Sequence, residues 1–304
     1  MGRAVLIGDA ARMGMGELYA LVSAVVWAFA VILFKKSGET VPPFALNLYR
    51  ALISCILVLV TMFALREPLV TGAPLRDYLI LFLSGIIGIA ISDTLFHRSL
   101  NIVGAGITAI VDCLYSPFVV IIAYLAIGER FGAWQVGGMA LIIAAVIFAA
   151  RHEPPPGTTK RQLAAGVLWG VLAMLTLAIG IVIAKPTLNR SPVLWATAMR
   201  LIGCVAVMLP IGLFTRGRRD VIRAFTPSRS WRFTLSGAVV AYIALVVWIA
   251  GMKYTQAGIA AILNQTNTIY VLLFASLFLG EPFTRRKLAA AALAVAGILM
   301  VTMG

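Results

Sequence analysis

Between two long apolar runs stands AILNQTNTIY, residues 261–270, which places five polar residues in succession at 264–268. Two other groups interrupt apolar sequence in the same way: Asp112 with Tyr115, and Asp93 with His97 in ISDTLFHRSL. On a helix Thr108, Asp112, Tyr115 and Ser116 share one stripe, and Ala260, Asn264, Asn267 and Thr268 share another. Amides and hydroxyls offer donors and acceptors to a ligand, whereas a carboxylate can hold a cation. Asp93 and His97 are four apart and so lie on one helix face. They could pair, hold an ammonium group or relay a proton, because imidazole titrates near neutrality; alternatively His97, near a span end, is an interfacial residue fixed by one hydrogen bond. For the amides and hydroxyls the structural alternative is helix-to-helix bonding, at about 0.6–2 kcal/mol per contact. Five consecutive polar residues cover every side of a helix, so some of them must do only that; Asn264 and Asn267 are read as facing a hydrated cavity.

The elements that must position these groups are membrane spans. The 304 residues are 62% hydrophobic and 12% charged, with repeated apolar stretches of the length that crosses a bilayer as helix. Ten spans are predicted, near 17–34, 43–63, 78–97, 101–127, 132–150, 163–184, 192–214, 232–252, 257–279 and 286–303. That leaves no room for a soluble domain, and no cleavable signal is expected ahead of the first span. The net charge of +14 sits mostly at span ends, where it meets headgroups rather than nucleic acid. Cys55, Cys113 and Cys204 lie inside spans without metal-ligand spacing and read as small buried residues.

Sliding the chain by 152 residues lays 104–131 over 256–283 with 11 of 28 positions identical. A slide of 150 superposes Lys35 on Lys185, Pro42 on Pro192 and Arg50 on Arg200. The chain therefore reads as an N-terminal tail, 1–16, a five-helix unit, 17–150, a linker, 151–162, and a second five-helix unit, 163–304. Because five is odd, the second unit enters from the opposite side, giving an inverted repeat about an axis in the membrane plane. The fold class predicted is all-α integral membrane, with ten transmembrane helices as two inverted five-helix repeats around a central cavity. The fourth helices then bring their polar stripes together near mid-membrane.

The doubled unit, with Gly128-Glu129-Arg130-Phe131 and Gly280-Glu281-Pro282-Phe283 closing matched helices, resembles the EamA-type members of the drug/metabolite transporter superfamily, most closely its bacterial amino acid exporters. The resemblance covers nearly the whole chain. It implies a cavity lined by the first, third and fourth helices of each repeat, and export of small metabolites by alternating access. Trp27, Tyr115, Trp169, Tyr242 and Trp248 fall on those helices, where rings give apolar contact and can face a cation. The candidate cavity set is Trp27, Asp93, His97, Asp112, Tyr115, Trp169, Tyr242, Trp248, Asn264 and Asn267. Arg50 and Arg200 are read as snorkelling to the interface or as structural partners of a carboxylate. Lys35 and Lys185 are read the same way, and Glu129 and Glu281 as helix-end anchors.

No phosphate-loop motif is present, so energy must come from gradients or a partner. No acid stands inside the first helix of either half, which argues against the proton-coupled antiport of the small multidrug-resistance relatives. An intramembrane enzyme would need clustered acids or a nucleophile dyad, and Asp93, Asp112, His97 and His152 do not form one. The function expected is a gradient-linked or facilitative exporter of amino-acid-like metabolites, neutral and aromatic ones included, in the bacterial inner membrane, with drugs or nucleotide sugars as the alternative cargo. No cofactor, metal, nucleic acid or obligate protein partner is implied; the partners are the small-molecule substrate and the lipid bilayer. With the N-terminus inside, inner segments hold 8 Lys and Arg and outer loops 15, against the positive-inside rule. The resemblance implies cytoplasmic termini nonetheless.

Overall fold

Apolar stretches that meet lipid have no partner for backbone polar groups other than their own turns, so helix is the expected state. A computed structural model describes residues 2–127, 132–150, 158–214, 217–227, 231–254 and 263–303, all helix or short connection with no strand among them. Glu129 and the rest of 128–131, His152 and Ala260 lie outside the described residues. In chain order the helices are α1 (Gly2–Ser37), α2 (Pro43–Ala64), α3 (Leu75–Gly85), a π-helical segment (Ile86–Ile91), α4 (Ser92–Asp112), α5 (Tyr115–Ile127) and α6 (Ala133–Ala150). There follow α7 (Lys160–Arg190), α8 (Val193–Phe214), α9 (Arg218–Phe225), α10 (Trp231–Tyr254), α11 (Asn267–Leu279) and α12 (Arg285–Met303).

Six helical runs among the described residues are long and apolar enough to cross a membrane: Gly14–Ser37, Pro43–Ala64, Leu75–Asp112, Lys160–Arg190, Val193–Phe214 and Trp231–Tyr254. Val136–Phe148 and Leu263–Leu279 are shorter apolar helices. The predicted spans 78–97 and 101–127 are divided differently: one run continues through the π segment to Asp112, and a turn at Cys113 and Leu114 separates α5. The linker between α8 and α10 contains a helix of its own, α9, which buries Val221 and Ala224 and exposes its arginines. Phe63 and Phe214 are 86% and 88% exposed, a state that water penalises and hydrocarbon does not.

Close packing rests on small residues. The helix α1 buries Ala20, Ala24 and Ala28, one turn apart, and packs chiefly along α10, which buries Ala238, Ala241 and Ala244. Elsewhere α4 packs on α7, α2 on α8 and α6 on α12. Exchanging α1 with α7, α2 with α8, α6 with α12, and α10 with the run from α3 to the start of α4 carries these pairs onto one another. Individual bonds obey the same exchange. Ser23 Oγ donates to the Ala244 carbonyl at 3.3 Å, and Ser92 Oγ to that of Ala173 at 2.9 Å, with Ser23 and Ala173 offset by 150 and Ser92 and Ala244 by 152. Lys35 Nζ donates to the Leu100 carbonyl at 3.0 Å, and Lys185 Nζ to that of Met252 at 2.7 Å. Both lysines are thus tethered to a carbonyl of a neighbouring helix.

Two interruptions of helical bonding are answered from elsewhere in the chain. Gly104 takes φ +81° inside α4, which glycine adopts without a Cβ penalty. The break frees the N–H groups of Ala105 and Gly106, and both donate to the Glu281 carboxylate, at 2.7 and 3.1 Å. Gly280, in the left-handed conformation, ends α11 and aims Glu281 there; Lys287 Nζ pairs with the same carboxylate at 3.2 Å. At the π segment Asn47 Nδ2, from α2, donates to the carbonyls of Ile89 and Ala90 at 3.0 and 3.1 Å.

Removing the Glu281 clamp leaves two amides of a broken helix without acceptors, at about 1–3 kcal/mol each. Glu281→Ala should therefore lower the melting temperature of the detergent-purified protein by several degrees, and Glu281→Gln, which keeps one acceptor oxygen, by clearly less. Equal losses from the two variants would show that the carboxylate fork is not what holds the break.

Candidate functional site

The helix α2 buries Ala45 through Ala51 without interruption, and Asn47 and Arg50, three apart on it, face the π segment and α4. Arg50 Nη2 donates to Asn47 Oδ1 at 3.0 Å and forms an ion pair with Asp93. Arg50 is 2% exposed, so of its two readings the structural pair with a carboxylate is the one found and snorkelling is not: an intramembrane acid within reach keeps it in the core. Arg200, its counterpart on α8, is 1% exposed and does not snorkel either. Its guanidinium lies 5.7 Å from the ring of Trp248, and among the described residues its Nε has no partner and it makes no ion pair.

These groups face a cavity of about 110 Å³, several times the roughly 10–15 Å³ that one water needs. It is lined by Ser23 and Trp27 of α1, Arg50 of α2, Gly88 and Ile89 of the π segment, and Asp93, Phe96 and Asp112 of α4. Tyr115 of α5, Met174 and Leu177 of α7, Arg200 of α8, and Ala244, Leu245 and Trp248 of α10 continue the wall, and Asn264, Gln265 and Asn267 close it. Apolar surface dominates, with a few convergent polar groups, the usual make-up of a small-molecule site. Asp112 Oδ1, the Tyr115 hydroxyl and Gln265 Oε1 are buried with no hydrogen-bond partner among the described residues. Among the described residues no group of three His, Cys, Asp or Glu could hold a metal ion.

The polar block at 264–268 divides its work. Asn264, Gln265 and Asn267 line the cavity, while Thr268 Oγ1 donates to the Ala109 carbonyl at 3.0 Å and Thr266 Oγ1 to that of Leu263 at 2.6 Å. The threonines tie helices and turns. Of the sequence candidates, Trp27, Asp93, Asp112, Tyr115, Trp248, Asn264 and Asn267 are brought to the cavity wall, and His97, Trp169 and Tyr242 are not among its lining. His97 is buried edge-on against Phe34 and Phe96, ring centroids 4.9 and 5.6 Å away, with neither ring nitrogen bonded. The Asp93–His97 pair does not form, since Asp93 bonds Arg50 instead. Trp169 lies under the Arg98 guanidinium at 4.2 Å, and the Tyr242 hydroxyl bonds Thr61 Oγ1 at 2.7 Å. Sequence reasoning passed over Arg50, Arg200, Ser23, Phe96 and Gln265 as cavity residues. The available signal was two arginines at repeat-matched positions well inside spans.

Comparison with known proteins adds four findings. The family model described as "EamA-like transporter family" matches the chain twice, over residues 14–151 and 164–303. An uncharacterized transporter of Archaeoglobus fulgidus is 24% identical over 289 residues, 94% of this chain and 97% of that protein. One of Haemophilus influenzae is 25% identical over 205 residues, 66% of each. A solved structure shares the fold, with a TM-score of 0.69 over 96% of this chain and 98% of that one at 18% identity.

The ion pair at the cavity wall generates a stability test. Replacing Arg50 by Met strands the Asp93 charge in a largely buried position, a change that typically costs about 3–5 kcal/mol. The single variant should melt well below wild type, and adding Asp93→Leu should recover most of the loss. A double variant as unstable as the single one would mean that Arg50 acts mainly through Asn47 and the π segment.

Proposed function

The chain belongs to the EamA-like transporter family, and from that premise of a multi-pass membrane transporter we propose a secondary carrier that exports small amino-acid-like metabolites across a bacterial inner membrane. The observation that carries this reading is the cavity itself: it lies between repeat-matched helices and draws polar groups from both halves of the chain. The doubled match of the family and the paired contacts of Ser23 with Ala244 and Ser92 with Ala173 support two five-helix units related by inversion, ten transmembrane helices in all. Rocking of one unit against the other then exposes a single site alternately to each side, with both termini cytoplasmic. Transport is gradient-linked or facilitative. The curated relatives are named as transporters, and the reading is of a carrier that leaves its cargo chemically unchanged.

The deciding experiment is counterflow in proteoliposomes with a panel of solutes. Neutral and aromatic amino acids should exchange, whereas exchange of drugs or nucleotide sugars alone would move the reading to a sister subfamily. A reporter fused at Gly304 tests the orientation, and an extracytoplasmic signal would reverse it. Within the site, Asn264→Leu removes an amide from the cavity wall while keeping a helix-compatible side chain. It should reduce transport at least tenfold, about 1.4 kcal/mol or more, with little change in melting temperature. Thr266→Val, which deletes a bond within its own turn, should transport nearly as wild type. Unchanged substrate affinity in Asn264→Leu would reassign the polar block to helix packing.

A further inference from the structure

The two repeats place an arginine at the same position, and only one of the two is neutralised. Arg50 is taken up by Asp93 and by Asn47 Oδ1. In the second repeat the residue matching Asp93, at an offset of 152, is Leu245, and the one matching Asn47, at an offset of 150, is Thr197. Leu245 lines the cavity without charge, and the Thr197 hydroxyl donates to its own helix at the Val193 carbonyl, 2.8 Å away. Arg200 is therefore buried in the cavity wall beside an apolar residue where its twin has a carboxylate. Asp93 pairs with Arg50.

The reverse asymmetry appears at the fourth helices. Asp112 matches Asn264 at the offset of 152. Its Oδ1 is buried and unpartnered among the described residues, as are the Tyr115 hydroxyl and Gln265 Oε1 in the same wall. One guanidinium and one carboxylate thus face the same space without satisfying each other through any ion pair among the described residues. Buried ionisable groups left this way either stay neutral or need a ligand or water to complete them. A guanidinium is shaped to receive a carboxylate through two parallel hydrogen bonds. The ring of Trp248 lies against Arg200, and Trp27 and Phe96, with ring centroids 5.8 Å apart, supply an apolar wall for a side chain.

We propose that Arg200 is the residue that binds the substrate's carboxylate and Asp112 the residue that faces its ammonium group, so that the cavity selects a free zwitterionic amino acid rather than a cation, an anion or a neutral solute. This rests on the reading of the chain as an amino-acid exporter and adds to it which end of the substrate each repeat holds: the second repeat the carboxylate, the first repeat the ammonium. The Arg50–Asp93 pair is the internally neutral copy of the same arrangement: its charges are paired, although Arg50 Nε, like that of Arg200, has no partner among the described residues.

The test uses the full chain in detergent and three probes measured by titration calorimetry: L-phenylalanine, its amide, which lacks the carboxylate, and 3-phenylpropionate, which lacks the ammonium group. Wild type should bind phenylalanine at least tenfold more tightly than either analogue, a comparison that needs no variant and so does not depend on a variant folding. Arg200→Gln should lower phenylalanine affinity at least tenfold and leave the amide within about twofold, with Arg200→Lys intermediate. Asp112→Asn should lower phenylalanine affinity and leave 3-phenylpropionate within about twofold. Equal binding of phenylalanine and its amide by wild type, or an Arg200→Gln variant that weakens all three probes alike, would overturn the assignment. The two readings fail separately. If wild type exchanges no amino acid in counterflow, the substrate class falls and this inference with it; if it does so and Arg200→Gln keeps the preference for acid over amide, only the inference falls.

Discussion

A backbone N–H or C=O left unpaired in hydrocarbon costs several kcal/mol, and that constraint organises the molecule. It makes the described spans helical, and it makes each departure from helix require an answer. The break at Gly104 is answered by Glu281, and the π segment by Asn47. Both answers come from another element, so they also fix how elements sit: α11 is bound to the middle of α4, and α2 to the π segment. The cavity lies among these same pieces, with Ile89, Asp93 and Asp112 on its wall. The π segment itself supplies Gly88 and Ile89 to the wall, so irregular backbone and site meet there.

How much of this was legible depends on whether the cause lies nearby in sequence. Helix limits were legible because apolar composition and a terminal proline or charge act locally: the predicted 43–63, 192–214 and 232–252 correspond to Pro43–Ala64, Val193–Phe214 and Trp231–Tyr254. The π segment was not, because IIGIAI is apolar throughout and the group stabilising it sits on α2. Neither was the break in α4, since the carboxylate that makes it tolerable lies 176 residues on from Ala105. At the site, polar residues in mid-span stood out by type, and Asp112, Asn264 and Asn267 were marked for that reason. Arg200 was not, because an arginine in a span has ordinary explanations in snorkelling or in pairing with a carboxylate. Its position becomes informative only when Leu245 is recognised as standing where the first repeat has Asp93.

Duplication explains why such asymmetry is readable at all. Two copies of one unit begin with the same side chains at the same places, and shared contacts such as those of Lys35 and Lys185 preserve the packing that both need. Differences at the cavity are then departures from a common pattern rather than isolated oddities. Asp93 against Leu245 and Asp112 against Asn264 change the charge of the wall without changing which helices form it. A site made from two unlike halves of a repeated fold can recognise an unsymmetrical ligand, which two identical halves could not.

A polar core that serves structure closes its hydrogen bonds internally. This one does not: Arg200 Nε, Asp112 Oδ1, the Tyr115 hydroxyl and Gln265 Oε1 are buried without partners among the described residues. Water in the cavity offsets part of that penalty, because bridging waters are nearly as good as direct bonds. A substrate that displaces the water gains the difference between the two sets of bonds, together with contact against Trp27, Phe96 and Trp248, rather than the whole energy of either charge. A net gain of that kind favours moderate over tight binding. For a carrier that is the useful range, since a site must bind well enough to load and weakly enough to release on the other side. A fully satisfied cavity would hold its shape better and carry nothing.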